Sequence, residues 1–466
     1  MFTQRVFTDG LAQASFVVAS GQTLRAAVID PRRDTRVYLD IAASRGLTIT
    51  DIFETHIHAD YASGARELAA STGATIHASA LGESEFPHAP ARDGDELALG
   101  ELRLKVLLTP GHTPEHICLL VADTSDPHAP PLLFTGDALF VGAVGRPDLL
   151  GEEHTRALAS SLYRTVHETF MRLDDDIIVY PGHGAGSACG KAIGDAPSTT
   201  MGQEKRFNYA FQPMAEEQFV ELMLDGLPEP PPYFPVMKRL NKQGPPVLGD
   251  IPAAPRVDTD HLRAAQRGAP HGATLLDVRQ ASAFGAGFLR GALNIGLGPD
   301  LPNWAGWAVP YGTPITLIVS AEDEVEEAVT HLIRIGLDSI AGYAVADAAA
   351  WRAVGLAVQQ LEQIDVTEAH ERSSSDNLQL LDVRNPDEWE TCCVAGAHTI
   401  PVGRLALGQE NGLDPTRPVG VMCAVGYRSS LGASVLKARG FEKVYNVSGG
   451  MGAWLDAGLP VDRAKG

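Results

Sequence analysis

Four apolar runs in the first half of the chain each end in a histidine or an aspartate. "LTITDIFETHIH" delivers His56 and His58, "LRLKVLLTPGH" delivers His112, "PPLLFTGD" delivers Asp137 and "DIIVYPGH" delivers His183. A single histidine is ordinarily a surface or core group, but polar groups that recur at the ends of apolar runs are not what chance placement produces. Imidazole and carboxylate suit zinc and iron, and two histidines with one carboxylate leave positions on a metal open to oxygen and substrate together. If those four run ends converge, they supply one cluster. The stretch "ETHIHADYASGA" (54–65) adds Asp60 and Tyr61 beside the first two histidines.

A second chemistry is encoded near the other end, in "CAVGYRSS" (423–430). Cys423 follows the apolar run "VGVM" and precedes the helix-like "LGASVLKARG". A cysteine between a strand and a helix has backbone N–H groups and the positive helix end aimed at it, which favours a thiolate or a bound persulfide. Arg428 adds a permanent cation, Gly426 permits a tight turn, and Ala424, Val425 and Tyr427 complete the loop.

The elements that must position these residues fall into two styles. Beyond residue 250 there is an internal repeat: "TLLDVRQASAF" (274–284) is echoed by "QLLDVRNPDEW" (379–389), and Trp351 by Trp454. The runs "ITLIVS" (315–320) and "VGVMCA" (419–424) read as buried strands, each followed by a helix, which predicts α/β units on a parallel sheet. Proline-rich stretches at 226–235 and 243–255 mark the break before the repeat, and the polar "HERSSSDN" (370–377) a weaker one. The expected domains are residues 1–245, 257–360 and 370–466. In the earlier copy Ser320 aligns with Cys423, and Glu322, Asp323, Glu324 and Glu326 replace the cationic cradle. A hydroxyl cannot form the persulfide, so this copy reads as an inactive spacer or docking domain.

Composition narrows the partners. With 37 Lys+Arg against 58 Asp+Glu the formal net charge is -21, which repels polyanions and argues against nucleic acid and anionic membrane. No run reaches the ~18 apolar residues of a membrane span, and the first residues lack the pattern of a signal peptide. Five scattered cysteines (Cys118, Cys189, Cys392, Cys393, Cys423) do not make a disulfide framework and fit a reduced, cytoplasmic setting. A homo-oligomer is compatible with the sequence.

The motifs "THIHADYASG", "TPGHTPEH", "FTGDALF", "GRPD" and "YPGHG" resemble the metallo-β-lactamase fold, an αββα sandwich. "GHGAGSACGKA" and "EKRFN" (204–208) are similar to its persulfide dioxygenase branch. That resemblance implies one ferrous iron on His56, His112 and Asp137, and oxidation of a thiol persulfide such as glutathione persulfide by O2 to sulfite. Dinuclear zinc relatives of glyoxalase II type carry a histidine where Tyr61 stands. A phenol with an ordinary pKa near ~10 is a poorer ligand than neutral imidazole, so one metal is expected. His58, Asp60 and His183 then orient the ligands or bind substrate, and Arg146 and Arg206 are cations for a carboxylate of the thiol carrier. The cysteine loop, with "LLDVR" and "GGMGAW", resembles the rhodanese sulfurtransferases. That implies two rhodanese-like α/β domains after the sandwich, with Cys423 carrying a sulfane sulfur. Cys392 and Cys393 depart from the Gly-His common there. The combined reading is persulfide oxidation coupled to sulfur transfer, with thiosulfate as product; a dinuclear zinc thioester hydrolase and a non-catalytic sulfur carrier are the alternatives.

Overall fold

The computed structural model describes residues 1–267, 273–409 and 412–462. Residues 268–272, 410–411 and 463–466, which belong to the expected second and third domains, lie outside the described residues. Two compact units emerge: Met1–Ile251 with Ile333–Gly336, and Pro252–Leu332 with Leu337–Gly466.

In the first unit two six-stranded sheets face each other. One runs in chain order from Phe2–Thr8 to Ala89–Ala91, and the other, from Thr199–Thr200 through Ile178–Pro181, Leu132–Gly136, Ile117–Asp123 and Leu102–Leu108 to Glu96–Leu99. Alternation along a strand sends successive side chains to opposite faces, and the packing follows it. Phe16, Val18, Ile29 and Phe53 meet Leu104, Val106, Leu119 and Phe134 between the sheets. Val17, Ala19, Val28 and Ile52 face outward and are covered by Tyr38, Ile41 and Leu68 of helices Arg36–Arg45 and Ala65–Thr72. Cys118, Leu133 and Val179 are covered by Leu162 and Phe219 of helices Glu152–Arg164 and Glu216–Leu224. The result is helix, sheet, sheet, helix.

The second unit repeats one parallel sheet. Strands Leu293–Asn294, Thr274–Asp277, Ile315–Val319 and Ile340–Val345 lie in that order, and His398–Thr399, Gln379–Asp382, Val419–Met422 and Val444–Val447 match them one for one. The shared "DVR" has a shared use. Arg279 chelates Asp277 and reaches the carbonyl of Gly287, while Arg384 chelates Asp382 and reaches that of Cys392. One reading is corrected here. The polar stretch at 370 does not open the second copy, because residues 370–374 finish the helix Val366–Ser374 and the strand Glu362–Ile364 already pairs with Val444–Val447. The Asp365 side chain caps that helix by accepting from Glu368 N, so a local cap overrides the serine run.

Candidate metal centre and cysteine loop

Strand ends of both sheets deliver the polar cluster. His56, His58 and Asp60 follow Thr48–Phe53, His112 follows Leu102–Leu108, Asp137 follows Leu132–Gly136 and His183 follows Ile178–Pro181. All are buried. Gly136 makes the turn into Asp137 with φ +46°, and a Cβ there would lie 2.5 Å from Thr55 Oγ1. Gly145 lets its own loop close on Asp137, whose carbonyl oxygen would be 1.9 Å from a Cβ. These two glycines account for "FTGD" and "GRPD" as packing requirements.

His56 Nε2, His112 Nε2 and Asp137 Oδ2 converge, with Asp137 Oδ2 3.9 Å from the first and 3.5 Å from the second. None of the three atoms has a hydrogen-bond partner. Their other sides are tied down. Thr55 Oγ1 donates to Asp30 Oδ2 at 2.8 Å and accepts from His56 Nδ1 at 3.0 Å, and His112 Nδ1 donates to the Arg146 carbonyl at 2.9 Å. Both Nε2 lone pairs are thereby turned to one point, as metal-binding imidazoles require. Burial, joined by neighbouring positive charge, depresses both imidazoles well below the ordinary range, so they stay neutral and able to ligate. Three such donors fit a single zinc or iron ion at ~2.0–2.2 Å from each.

His58 takes no part in that convergence. Its Nε2 lies 3.2 Å from Asp30 Oδ1 and 3.5 Å from Glu54 Oε2; against the burial penalty these carboxylates push it up to about 9. Tyr61 packs on the His58 ring and donates its hydroxyl to the Asp30 carbonyl at 3.2 Å; burial raises its pKa further. Asp60, His183 and Cys189 form another group whose ligand atoms lie within 4.8 Å of one another. His183 Nε2 is 3.3 Å from Asp60 Oδ2 and 3.5 Å from Asp137 Oδ1.

Several contributors were invisible as single residues. His116 accepts from Asp137 N through Nε2 at 3.0 Å, bonds Thr109 through Nδ1 and stacks on His56. Asp30 and Glu54 hold His58. Cys189 joins a cluster that only the "GSACGKA" likeness hinted at. The expectation for Arg146 is corrected: its guanidinium chelates Asp148 at 2.7 Å twice and donates to the carbonyls of Ala188 and Pro228, so it fastens loops and has no free face for a carboxylate. Arg206 is exposed on helix Met201–Phe207, away from the buried cluster.

In the second unit Cys423 is 1% exposed. Gly426 N donates to its Sγ at 3.1 Å, Ser429 Oγ lies 3.6 Å away, and helix Tyr427–Ala438 begins at the loop. Gly426 has φ +107°. Arg428 is paired to both Glu388 carboxylate oxygens, at 2.5 and 2.9 Å, so it braces the loop through Glu388. Val425 is 73% exposed at the loop tip and Ala424 is half-buried beside it. Tyr427 reaches the other repeat, donating to the Gly296 carbonyl at 2.7 Å. A cavity of about 370 Å³ opens there, lined by Gln280, Ser282 and Asn294 of the first repeat and Val425, Tyr427 and Asn446 of the second. The first repeat thus walls the cysteine site as well as spacing it. At its own corresponding loop, Ser320 N donates to Glu324 Oε2 at 2.7 Å, an acidic group where the other loop holds a sulfur.

Residues 8–183 match the metallo-beta-lactamase superfamily and residues 365–457 the rhodanese-like domain. A metallo-beta-lactamase of known structure from Staphylococcus aureus is 35% identical with a TM-score of 0.65, covering 74% of this chain and 98% of its own length. The chain belongs to the metallo-beta-lactamase superfamily. In this superfamily member the likeness extends past the first unit, and the chain ends in a rhodanese-like domain. A hydroxyacylglutathione hydrolase of Polaromonas is 34% identical over 39% of this chain, and the human mitochondrial persulfide dioxygenase ETHE1 28% identical over 36%. The chain spans 66% and 63% of their respective lengths. Among the described residues no helix is long and apolar enough to cross a membrane.

Proposed function

We propose that the protein oxidises a low-molecular-weight thiol persulfide, such as glutathione persulfide, with O2 and water to the thiol and sulfite, and that Cys423 converts sulfite to thiosulfate. The observation that carries this reading is the pair formed by three converging, unpartnered ligand atoms and a Tyr61 hydroxyl committed to Asp30. Such a set suits one metal with open positions. Ferrous iron held by His56, His112 and Asp137 would supply coordination positions for persulfide and O2. The protein's own part is to fix the donors: Thr55 and the Arg146 carbonyl set the imidazoles, and His116 holds the Asp137 backbone. Burial of the set excludes bulk water.

At the other site the Cys423 thiolate attacks the outer sulfur of a second persulfide, the S–S bond breaks and the carrier leaves as thiolate. Sulfite then takes the outer sulfur and restores the cysteine. Gly426 N–H and the helix end favour the anionic sulfur at each stage. The human persulfide dioxygenase supports this reading through its likeness to the first unit. Iron-loaded protein should consume O2 with glutathione persulfide, and Cys423→Ser should raise the sulfite-to-thiosulfate ratio; an unchanged ratio sinks the relay.

A second reading, a dinuclear zinc hydrolase of a glutathione thioester, draws on the group Asp60, His183 and Cys189 and on the hydroxyacylglutathione hydrolases. Two zinc ions per chain and thioester cleavage without O2 would favour it.

A further inference from the structure

One buried cation near the metal cluster has no hydrogen-bond partner: the Nζ of Lys238. It belongs to helix Phe234–Gln243, where Pro235 starts the first turn. Asn241 follows three residues later, and positions i and i+3 share a helix face. That face is fastened to the metal loop. Asn241 Nδ2 donates to the carbonyls of His58 and Tyr61 at 2.8 and 2.7 Å, and its Oδ1 accepts from Ser63 N at 2.9 Å. Burial is the main reason the His112 imidazole is depressed, and the Lys238 charge is the next; the same charge acts on His56. The ammonium is therefore within electrostatic reach of two of the three converging ligands.

The carboxylates around it are otherwise engaged. Glu115 accepts from Ile57 N at 3.0 Å, and Asp148 is chelated by Arg146. A buried ammonium without a partner opposes folding, and such a group is held where an anion completes it. A persulfide ionises more readily than the parent thiol, so the substrate of the proposed reaction arrives with a negative sulfur, and sulfite leaves as an anion.

We propose that Lys238 is the anion anchor of the metal centre, its ammonium binding the negatively charged sulfur end of the persulfide beside His56 and His112. This rests on the persulfide reading above, and Lys238 takes the place there first assigned to Arg146 and Arg206. The test compares iron-loaded full-length wild type, Lys238→Met and Lys238→Arg on two persulfides, that of glutathione and that of 2-mercaptoethanol, which has no carboxylate. Sulfite binding is measured alongside by calorimetry, and Tm by thermal melting. Lys238→Met should raise KM roughly 10-fold or more for both substrates, with a smaller change in kcat. It should weaken sulfite by a similar factor and leave Tm equal or higher, because an apolar chain replaces an unpaired charge. Lys238→Arg should restore most of the affinity. Unchanged KM and sulfite affinity in Lys238→Met would overturn the proposal, as would a fall in Tm with affinity intact. A loss confined to glutathione persulfide would overturn the assignment to sulfur and place the ammonium on the carrier's carboxylate. If wild type consumes no O2 with either persulfide, the functional reading fails, while the sulfite comparison still judges Lys238.

Discussion

Tyr61 determines how many metals the cluster is built to hold. Its hydroxyl donates to the Asp30 carbonyl and its ring packs on His58, so it offers no lone pair to the group around Asp60 and His183. Tyr61→His should restore a ligand there, and zinc-loaded protein analysed for metal should move from one ion per chain toward two; a value still at one would show that Asp60, His183 and Cys189 do not make a second site. His116 acts on the backbone. With its Nε2 gone in His116→Phe, the buried Asp137 N–H loses its acceptor, at a cost of ~1–3 kcal/mol. Metal affinity should fall by roughly 10–100-fold, read by competition against a chelator of known strength. Both residues stand in quoted motifs, yet their partners, Asp30 and Asp137, lie far off along the chain. The motif exposes the residue and hides what it touches.

Among the elements, the cysteine loop shows how the second unit holds its chemistry. Met451 N and Gly452 N donate to the carbonyls of Cys423 and Ala424 at 2.7 and 3.0 Å, so the segment "GGMGAW" clamps the loop from behind. Gly450 sits at φ +55°, and a Cβ there would lie 2.1 Å from the Cys423 oxygen. Gly450→Ala should therefore displace the loop, cutting sulfur transfer at least ~10-fold while O2 uptake with persulfide stays near wild type, since the metal ligands belong to the first unit. Loss of both activities together would indicate general unfolding. Helix Tyr427–Ala438 is buried from Ser429 to Leu436, which a helix with one solvent face would not be. Its Ser430 and Ser434 bond Asn294 of the first repeat, so small hydroxyl residues let two repeats pack closely. That contact is why a copy lacking the cysteine still contributes to the site.

For the whole molecule, the two chemistries are carried by separate units of one chain and linked by sulfite, which is small and diffusible. An equimolar mixture of His56→Ala and Cys423→Ser chains, each defective at one site, should regain thiosulfate formation from glutathione persulfide; ion chromatography that finds sulfite alone would mean that the sulfur passes only within a chain. Much of this organisation was legible in the sequence. Apolar runs ending in ligands follow from strands that must bury their sides and expose their ends, and repeated "LLDVR" follows from an arginine that must chelate its own aspartate two residues away. Such local and periodic constraints are written along the chain. The second copy's start at 362 was not, because a side-chain cap outweighs serine propensity only once the neighbouring strand pairs. Nor were the opposite fates of three arginines and a lysine: Arg146 satisfied by Asp148 and carbonyls, Arg428 by Glu388, Arg206 exposed, and Lys238 buried beside the ligands without a hydrogen bond. A cation's role depends on which carboxylates and carbonyls the fold brings within about 3 Å, and residues distant in the chain meet at that range only when the tertiary structure closes.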